Sequence, residues 1–199
     1  MLIMKMRLTP LKPGLVTALA AVTLAACAGG VTVTRDDVAT SYQPEELYVV
    51  ATGENELRTI VVGNPYDMPK GAFQAAVLAS LDGRHLGPRL KLSVDPKRED
   101  ARRRHVVLAF NPTKISQTDD LCSGGALDTA KVAATGGSLT VTAVYCAGGQ
   151  YLTQATASSN GVSGSDTAQF RALMTQLAIA LFPPQNPHSR QDEPCTDNC

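Results

Sequence analysis

Residues 139–157 read LTVTAVYCAGGQYLTQATA, and this stretch predicts the centre of the fold. Positions 139, 141, 143 and 145 are apolar and alternate with positions that include two threonines, a period of two that is typical of a β-strand. Gly148-Gly149 supplies a tight turn, and residues 151–157 predict an antiparallel return strand. With the glycines at the turn centre, we expect Tyr145 to face Leu152 and Cys146 to face Tyr151.

Other β-rich runs surround this hairpin in the sequence. Residues 46–52 (ELYVVAT) and 57–63 (LRTIVVG) are rich in β-branched side chains and predict two strands that could pair as a hairpin. Residues 105–110 (HVVLAF) predict another strand, and residues 90–94 predict a short edge strand. The sheet should therefore hold about five to six strands.

Two segments have helical periodicity. One follows Asp67, a candidate N-cap, and its apolar side chains at 73, 76, 77 and 81 share a face. The other follows Asp166, which with Gln169 resembles a capping box, and its apolar stripe runs from 170 to 181. The order of elements predicts an α+β fold, an antiparallel or mixed sheet with two main helices packed on one face. Residues 45–184 would form this single domain, followed by a loosely ordered polar tail over 185–199.

The first 26 residues have the pattern of a secretory signal. The basic side chains Lys5, Arg7 and Lys12 precede an uncharged, largely apolar run over 14–26. A bilayer-spanning helix needs about 20 apolar residues, so this run is too short for one.

Leu24-Ala-Ala-Cys27 ends the apolar run and resembles the lipobox of bacterial lipoproteins. The resemblance covers residues 1–27 only, and residues 28–199 resemble no family that we recognise. It implies cleavage before Cys27 and acylation of that residue. Residues 28–44 are small and polar, which predicts a flexible tether over residues 27–44. Two or three acyl chains anchor a protein stably, whereas one does not. Ala28, where an Asp would imply inner-membrane retention, implies the outer membrane with the domain facing the periplasm.

Four cysteines remain if Cys27 is acylated: Cys122, Cys146, Cys195 and Cys199. An even number in an oxidising compartment predicts two disulfides. Of the three pairings, we favour Cys122–Cys146 with Cys195–Cys199. The spacing lacks the paired C-x-x-C pattern of zinc sites, so no metal is predicted.

Charge is concentrated in one segment. Without residues 1–26 the chain has 15 basic and 18 acidic residues, a net charge of −3 that does not suggest a general polyanion binder. Residues 84–104 nevertheless hold eight bases and three acids. This segment could contact anionic lipid head groups through Lys97, Arg98, Arg102, Arg103 and Arg104. The alternative is a solvated, self-paired loop, and the compartment argues against nucleic acid.

We find no catalytic motif in the sequence. Gly161-Val-Ser163-Gly-Ser165 lacks the last glycine of a nucleophile elbow, and no phosphate-binding glycine loop occurs. The sequence therefore predicts a non-catalytic interaction or assembly module of the cell envelope that needs no cofactor. A lipid- or small-ligand-binding protein with a cleft between sheet and helices is the main alternative. An enzyme whose active site is assembled from distant residues is a lesser one.

Overall fold

The computed structural model describes residues 30–52, 56–98, 103–113, 118–124, 127–132 and 137–189. Within them lie a mixed sheet and four helices, which confirms the predicted fold class. The elements in chain order are β1 (Thr32–Val38), α1 (Glu46–Thr52), β2 (Leu57–Val62), α2 (Lys70–Leu81), β3 (Leu92–Ser93), β4 (Arg104–Phe110), α3 (Thr118–Cys122), β5 (Leu139–Ala147), β6 (Gln150–Ser159) and α4 (Ala168–Leu181).

The described strands form one sheet in the order β1-β6-β5-β4-β2-β3. The pairs β1–β6, β6–β5 and β5–β4 are antiparallel, whereas β4–β2 and β2–β3 are parallel. Strands β2, β3 and β4 therefore begin at the same end of the sheet, and β5 ends there. We call this the cleft end of the sheet.

The predicted central hairpin is confirmed as β5 and β6. Cys146 pairs with Tyr151 as expected, but Tyr145 pairs with Thr153 because the register shifts between Tyr145 and Cys146. A bulge of this kind leaves one residue without a direct partner, here Leu152. The shift lets Tyr145 and Leu152 both join the main core.

One face of the sheet carries that main core. The two main helices, α2 and α4, pack on this face, as the periodicity predicts, and α1 joins them. Phe73, Phe110 and Phe170 meet between sheet and helices, with the rings of Phe73 and Phe110 at 4.8 Å. All three side chains are buried, and full burial of such a side chain is worth about 1.5–3 kcal/mol.

The opposite face carries a smaller core under α3, a helix that the sequence analysis does not predict. Leu121 and Cys122 of α3 pack against Val107, Val144 and Cys146. Cys122 and Cys146 form a disulfide with their Cα atoms 5.6 Å apart, which confirms this predicted pairing. The second predicted pair, Cys195–Cys199, lies outside the described residues.

The strand predicted over residues 46–52 is wrong, because this segment forms helix α1. Leu47 and Val50, three residues apart, are buried in the core, while Tyr48 and Val49 are exposed. Strand alternation would have placed Leu47 and Val49 on one side. The β-branched composition is a weak local preference that the packing of Leu47 and Val50 overrides.

The predicted tether over 27–44 and tail over 185–199 both overlap ordered parts of the domain. Residues 32–38 form β1, an edge strand with a bulge between Val33 and Arg35, and such a bulge is typical protection against unwanted pairing. Asn186 is buried and donates hydrogen bonds to main-chain carbonyls of residues 39, 40 and 42. The domain therefore extends beyond the predicted limits of 45 and 184.

Both main helices begin later than predicted. Pro69 is the N-cap of α2, in place of Asp67. Thr167 is the N-cap of α4, where its Oγ1 accepts a hydrogen bond from the N–H of Phe170 at 3.1 Å. In the described part of the chain, no helix has the length and apolar character to span a bilayer.

Candidate functional site

A basic cleft of about 530 Å³ lies at the cleft end of the sheet. The start of β2 contributes Arg58 and Ile60, and the start of β4 contributes His105 together with the preceding residue Arg103. The full lining is Arg58, Ile60, Arg103, Arg104, His105, Cys122, Ser123, Gly148 and Gly149. Parallel pairing of β2 and β4 is what brings these distant segments together.

Strand register places Arg58 beside His105. The two residues are direct partners in the β2–β4 ladder, and His105 is the partner of Cys146 in the β4–β5 ladder. Because side chains alternate between the faces of a sheet, these three lie on the face that α3 covers. The disulfide of Cys146 therefore forms one wall of the cleft beside His105.

Arg103 is the exposed base at the mouth of the cleft. Its φ of 53° lies in the left-handed region, which few residues other than glycine adopt. Its carbonyl oxygen lies 3.0 Å from Nδ1 of His105. Because a carbonyl oxygen only accepts, Nδ1 is the donor in this bond, which fixes the orientation of the imidazole ring.

The structure does not support the prediction that Arg104 contacts an anionic surface. Its side chain is only 2% exposed, and its Nη1 lies 3.2 Å from both the carboxylate and the main-chain carbonyl of Glu46. Arg104 occupies the first position of β4 on the core face, because it alternates with His105. It ties α1 to the sheet and does not offer its charge to a ligand.

Two other basic residues that were predicted to contact an anionic surface lie outside the lining of the cleft. The side chains of Lys97 and Arg98 are exposed, and neither lines the cleft. Glu56 fixes their backbone, because its carboxylate accepts from the N–H of Lys97 at 2.9 Å and its own N–H donates to the carbonyl of Arg98 at 3.0 Å. Arg102 lies outside the described residues, as does Cys27.

Sequence reasoning missed Arg58 and His105 as partners in one site. His105 stands out in the sequence only as the first residue of an apolar run, and Arg58 as the single charge in another. The signal that could have paired them is that both occupy the same place at the start of their strands. Only the parallel pairing makes that position a shared one.

A second cleft, of about 500 Å³, lies where the C-terminal segment meets the residues after β1. Besides the three carbonyl contacts of Asn186, Nε2 of His188 lies 3.0 Å from the carbonyl of Val38. Tyr42 donates from its hydroxyl to the carbonyl of Pro183 at 2.8 Å. These hydrogen bonds hold the C-terminal segment against the residues that follow β1. We therefore interpret this cleft as a packing feature of the fold and not as a binding site.

Four described groups have a shifted pKa. Burial raises the pKa of Tyr42 above its usual range, with Tyr145 and Glu45 adding to it, and burial with the nearby Asp166 raises that of Tyr66 to about 12. A hydrogen bond between Asp82 and Arg89 lowers the pKa of the acid and raises that of the base. None of these four groups lines the basic cleft.

The chemistry of the basic cleft is that of anion binding. Arginine side chains bind carboxylates and phosphates through paired N–H donors, and Arg58 and Arg103 both line the cleft together with His105. The cysteine that lines the cleft, Cys122, is held in the disulfide with Cys146 and is therefore not a free thiol nucleophile. Among the described residues, no group of three or more His, Cys, Asp or Glu could hold a metal ion.

Comparison with known proteins identifies no family for this chain. No family model matches it, and no curated protein matches it. Two similar solved structures are dodecamers of PelC from Paraburkholderia phytofirmans, one of them a variant. The variant has a TM-score of 0.36 and 14% identity over 78% of this chain and 95% of that chain. The other has a TM-score of 0.34 and 14% identity over 78% of this chain and 96% of that chain. Values this low support no conclusion about function or assembly.

Proposed function

We propose that this protein is an outer-membrane lipoprotein facing the periplasm, where it acts as a non-catalytic interaction module of the cell envelope. The basic cleft is its binding surface, and its partner is an anionic envelope component. It needs no cofactor for this role. Acylation of Cys27 holds the domain at the membrane.

The anchor rests on the sequence of residues 1–27. If it is correct, Cys27→Ala leaves an unprocessed precursor that incorporates no labelled palmitate. Cys199→Ala is the matched control, because it removes a different thiol and should be processed and labelled normally. Normal processing of Cys27→Ala contradicts the anchor.

The observation that carries the binding role is the convergence of bases at the cleft end. Arg58 and Arg103 are both exposed, and His105 is half-buried. They come from two separate segments, so a solvated loop alone does not account for their meeting. The strands that carry Arg58 and His105 also carry buried core residues, so these two side chains are held on a rigid part of the fold.

Site-specific photocrosslinking tests the binding role in the full-length chain in its native envelope. A photoreactive residue at Ser123 places the probe in the cleft, because Ser123 is exposed and lines it. The same residue at Lys70, exposed at the start of α2, is the control. A specific adduct at Ser123 that is absent at Lys70 supports the proposal. Adducts of equal yield at both positions, or none at either, contradict it.

The alternative of a ligand cleft between sheet and helices gains no support from the described residues. That space is filled by the rings of Phe73, Phe110 and Phe170, each at most 1% exposed. The two clefts described above lie at the surface. A small ligand at the basic cleft would be recognised through its negative charge.

A further inference from the structure

We propose that Asn160-Gly161, the two residues that follow β6, is a site of spontaneous deamidation. In this reaction the backbone nitrogen of Gly161 loses its proton to water and attacks the side-chain carbonyl carbon of Asn160. The bond from that carbon to the side-chain nitrogen breaks, and ammonia leaves. Water then opens the succinimide ring to give aspartate or isoaspartate. The inference is independent of the proposed anchor and of the basic cleft.

The residue that follows each asparagine decides whether the ring can close. Closure needs a backbone N–H on that residue, and proline has none. The structure describes four asparagines, of which Asn64, Asn111 and Asn186 each precede a proline. Glycine favours closure, because it has no Cβ to obstruct the approach and restricts the backbone least. Among the described asparagines, Asn160 is therefore the one whose neighbour permits the reaction.

The side chain of Asn160 is also the least constrained of the four. Asn64 donates to a main-chain carbonyl at 2.7 Å, and Asn111 accepts from a main-chain N–H at 2.8 Å. Asn186 is buried and donates to three carbonyls. Asn160 is exposed, and within the described residues its side-chain amide has no hydrogen-bond partner. Its carbonyl carbon is therefore free to turn towards the backbone nitrogen.

The backbone at Gly161 leaves the attacking nitrogen accessible. Gly161 lies beyond Ser159, the last residue of β6 with a ladder partner, and its N–H donates to no group in the described part of the chain. A Cβ built on Gly161 would meet no atom within 4 Å. Its φ of 72° is a conformation that glycine adopts without strain. The nitrogen is therefore neither hydrogen-bonded nor shielded by neighbouring groups.

Deamidation here would alter the link between two elements. Residues 160–167 connect β6 to α4, and Val162 within them is buried in the main core. Isoaspartate carries the main chain through the former side chain and so inserts one carbon two residues before Val162. Because protein interiors are close-packed, we expect this insertion to disturb the packing of Val162. Both products also add a negative charge at the end of the sheet where β1 begins.

Ageing of the full-length purified protein at mildly alkaline pH, followed by peptide mass spectrometry, tests the site. Asn160 should convert at least about tenfold faster than Asn64, Asn111 and Asn186 in the same sample, a difference of about 1.4 kcal/mol in activation free energy. Asn160→Gln is the matched control and should stay unconverted, because its longer side chain must close a larger ring. Equal conversion at the asparagines that precede proline, or none at Asn160, overturns the inference.

A synthetic peptide of residues 156–165 tests whether the fold leaves the pair accessible. The rate of deamidation in the folded protein should lie within about tenfold of the rate in the peptide under the same conditions. A folded protein that deamidates more slowly than this would show that the structure shields Asn160, and the inference would be wrong.

Urea unfolding tests the effect on packing. The isoaspartyl form, purified by chromatography of the aged protein, is compared with Asn160→Asp, which carries the same charge on an unchanged main chain. We expect a lower unfolding midpoint for the isoaspartyl form. Equal midpoints would show that the link accommodates the extra carbon and would overturn the expected disturbance of Val162.

Discussion

Arg103 and Arg104 are adjacent in the sequence and have opposite roles. Arg103 is exposed at the mouth of the cleft, whereas Arg104 is buried against Glu46. The difference arises because β4 begins at Arg104, so its side chain takes the core face of the sheet. Burial of the Arg104 guanidinium depends on the Glu46 carboxylate, because an uncompensated charge in the protein interior is costly.

We predict that Glu46→Gln lowers the free energy of unfolding by about 1–3 kcal/mol. The substitution keeps the carbonyl contact of Arg104 but removes the charge from the side-chain contact, and hydrogen bonds to charged groups contribute about that much. Glu45→Gln is the matched control, because Glu45 is exposed and should change stability by less than about 0.5 kcal/mol. Urea unfolding of both variants measures the difference. Equal stability of the two would contradict the structural role of this ion pair.

Asn186 gives a second prediction at the residue scale. Asn186→Ala should destabilise the fold by about 1–3 kcal/mol, because it removes the buried amide that donates to the main-chain carbonyls of Ala39, Thr40 and Tyr42. Gln185→Ala, at an exposed neighbouring position, should have little effect. Thermal unfolding compares the two variants. A stable Asn186→Ala protein would show that the hydrogen bonds of this side chain contribute little to the stability of the domain.

At the scale of elements, periodicity is the reliable signal in this chain. The β5–β6 hairpin and helices α2 and α4 are predicted correctly, because each buries one regular face and its pattern repeats over many residues. Helix α1 is too short for its period to be distinguished from strand alternation. Helix α3, with five residues, has no usable period, and it forms on a sheet face that the sequence does not reveal.

The disulfide joins two of these elements, α3 and β5. Replacing both cysteines by alanine should cost about 3.5 kcal/mol, the value that the chain-entropy model gives for a loop of this length. Guanidinium unfolding of the parent and of Cys122→Ala with Cys146→Ala measures the loss. An unchanged midpoint would mean that packing alone holds α3 on the sheet.

The same substitution should also weaken binding at the cleft, because the disulfide holds Ser123 beside the Gly148-Gly149 turn. The yield of the Ser123 photocrosslink, measured at a temperature where the variant remains folded, tests this effect. A yield equal to that of the parent would show that α3 keeps its place without the covalent link.

At the scale of the whole molecule, the start of β1 and the cleft lie at opposite ends of the sheet. Thr32, the first residue of β1, pairs with Ser158, which also pairs with Thr140 of β5. Towards the other end of β5, His105 pairs with Cys146. The six residues between Thr140 and Cys146 correspond to about 20 Å along the strand. From Cys27 to Thr32 the chain spans at most about 18 Å. If the strands run perpendicular to the membrane, the anchored domain would present the cleft on the side away from the membrane.

Single tryptophans can test this orientation, because the chain contains none. Val33→Trp places the probe near the start of β1, and Tyr48→Trp places it on α1, which contacts Arg104 at the cleft end. Both positions are exposed, at 38% and 57%. In vesicles that hold the acylated protein, brominated lipids should quench Val33→Trp more strongly than Tyr48→Trp. Stronger quenching of Tyr48→Trp would mean that the cleft faces the anchoring leaflet.

The sequence by itself determines the signal and lipobox pattern, the central hairpin, the two main helices and the fold class. Each of these is a local pattern whose residues are close in the chain, so hydrophobic period or motif order is enough to predict it. The Cys122–Cys146 pairing is favoured by sequence and needs the structure for confirmation. The order of the strands, the burial of Arg104 and the meeting of Arg58 with His105 are decided only by the tertiary structure. The physical reason is that parallel pairing joins β2 to β4 across more than forty residues, and nothing local in the chain records which strands become neighbours.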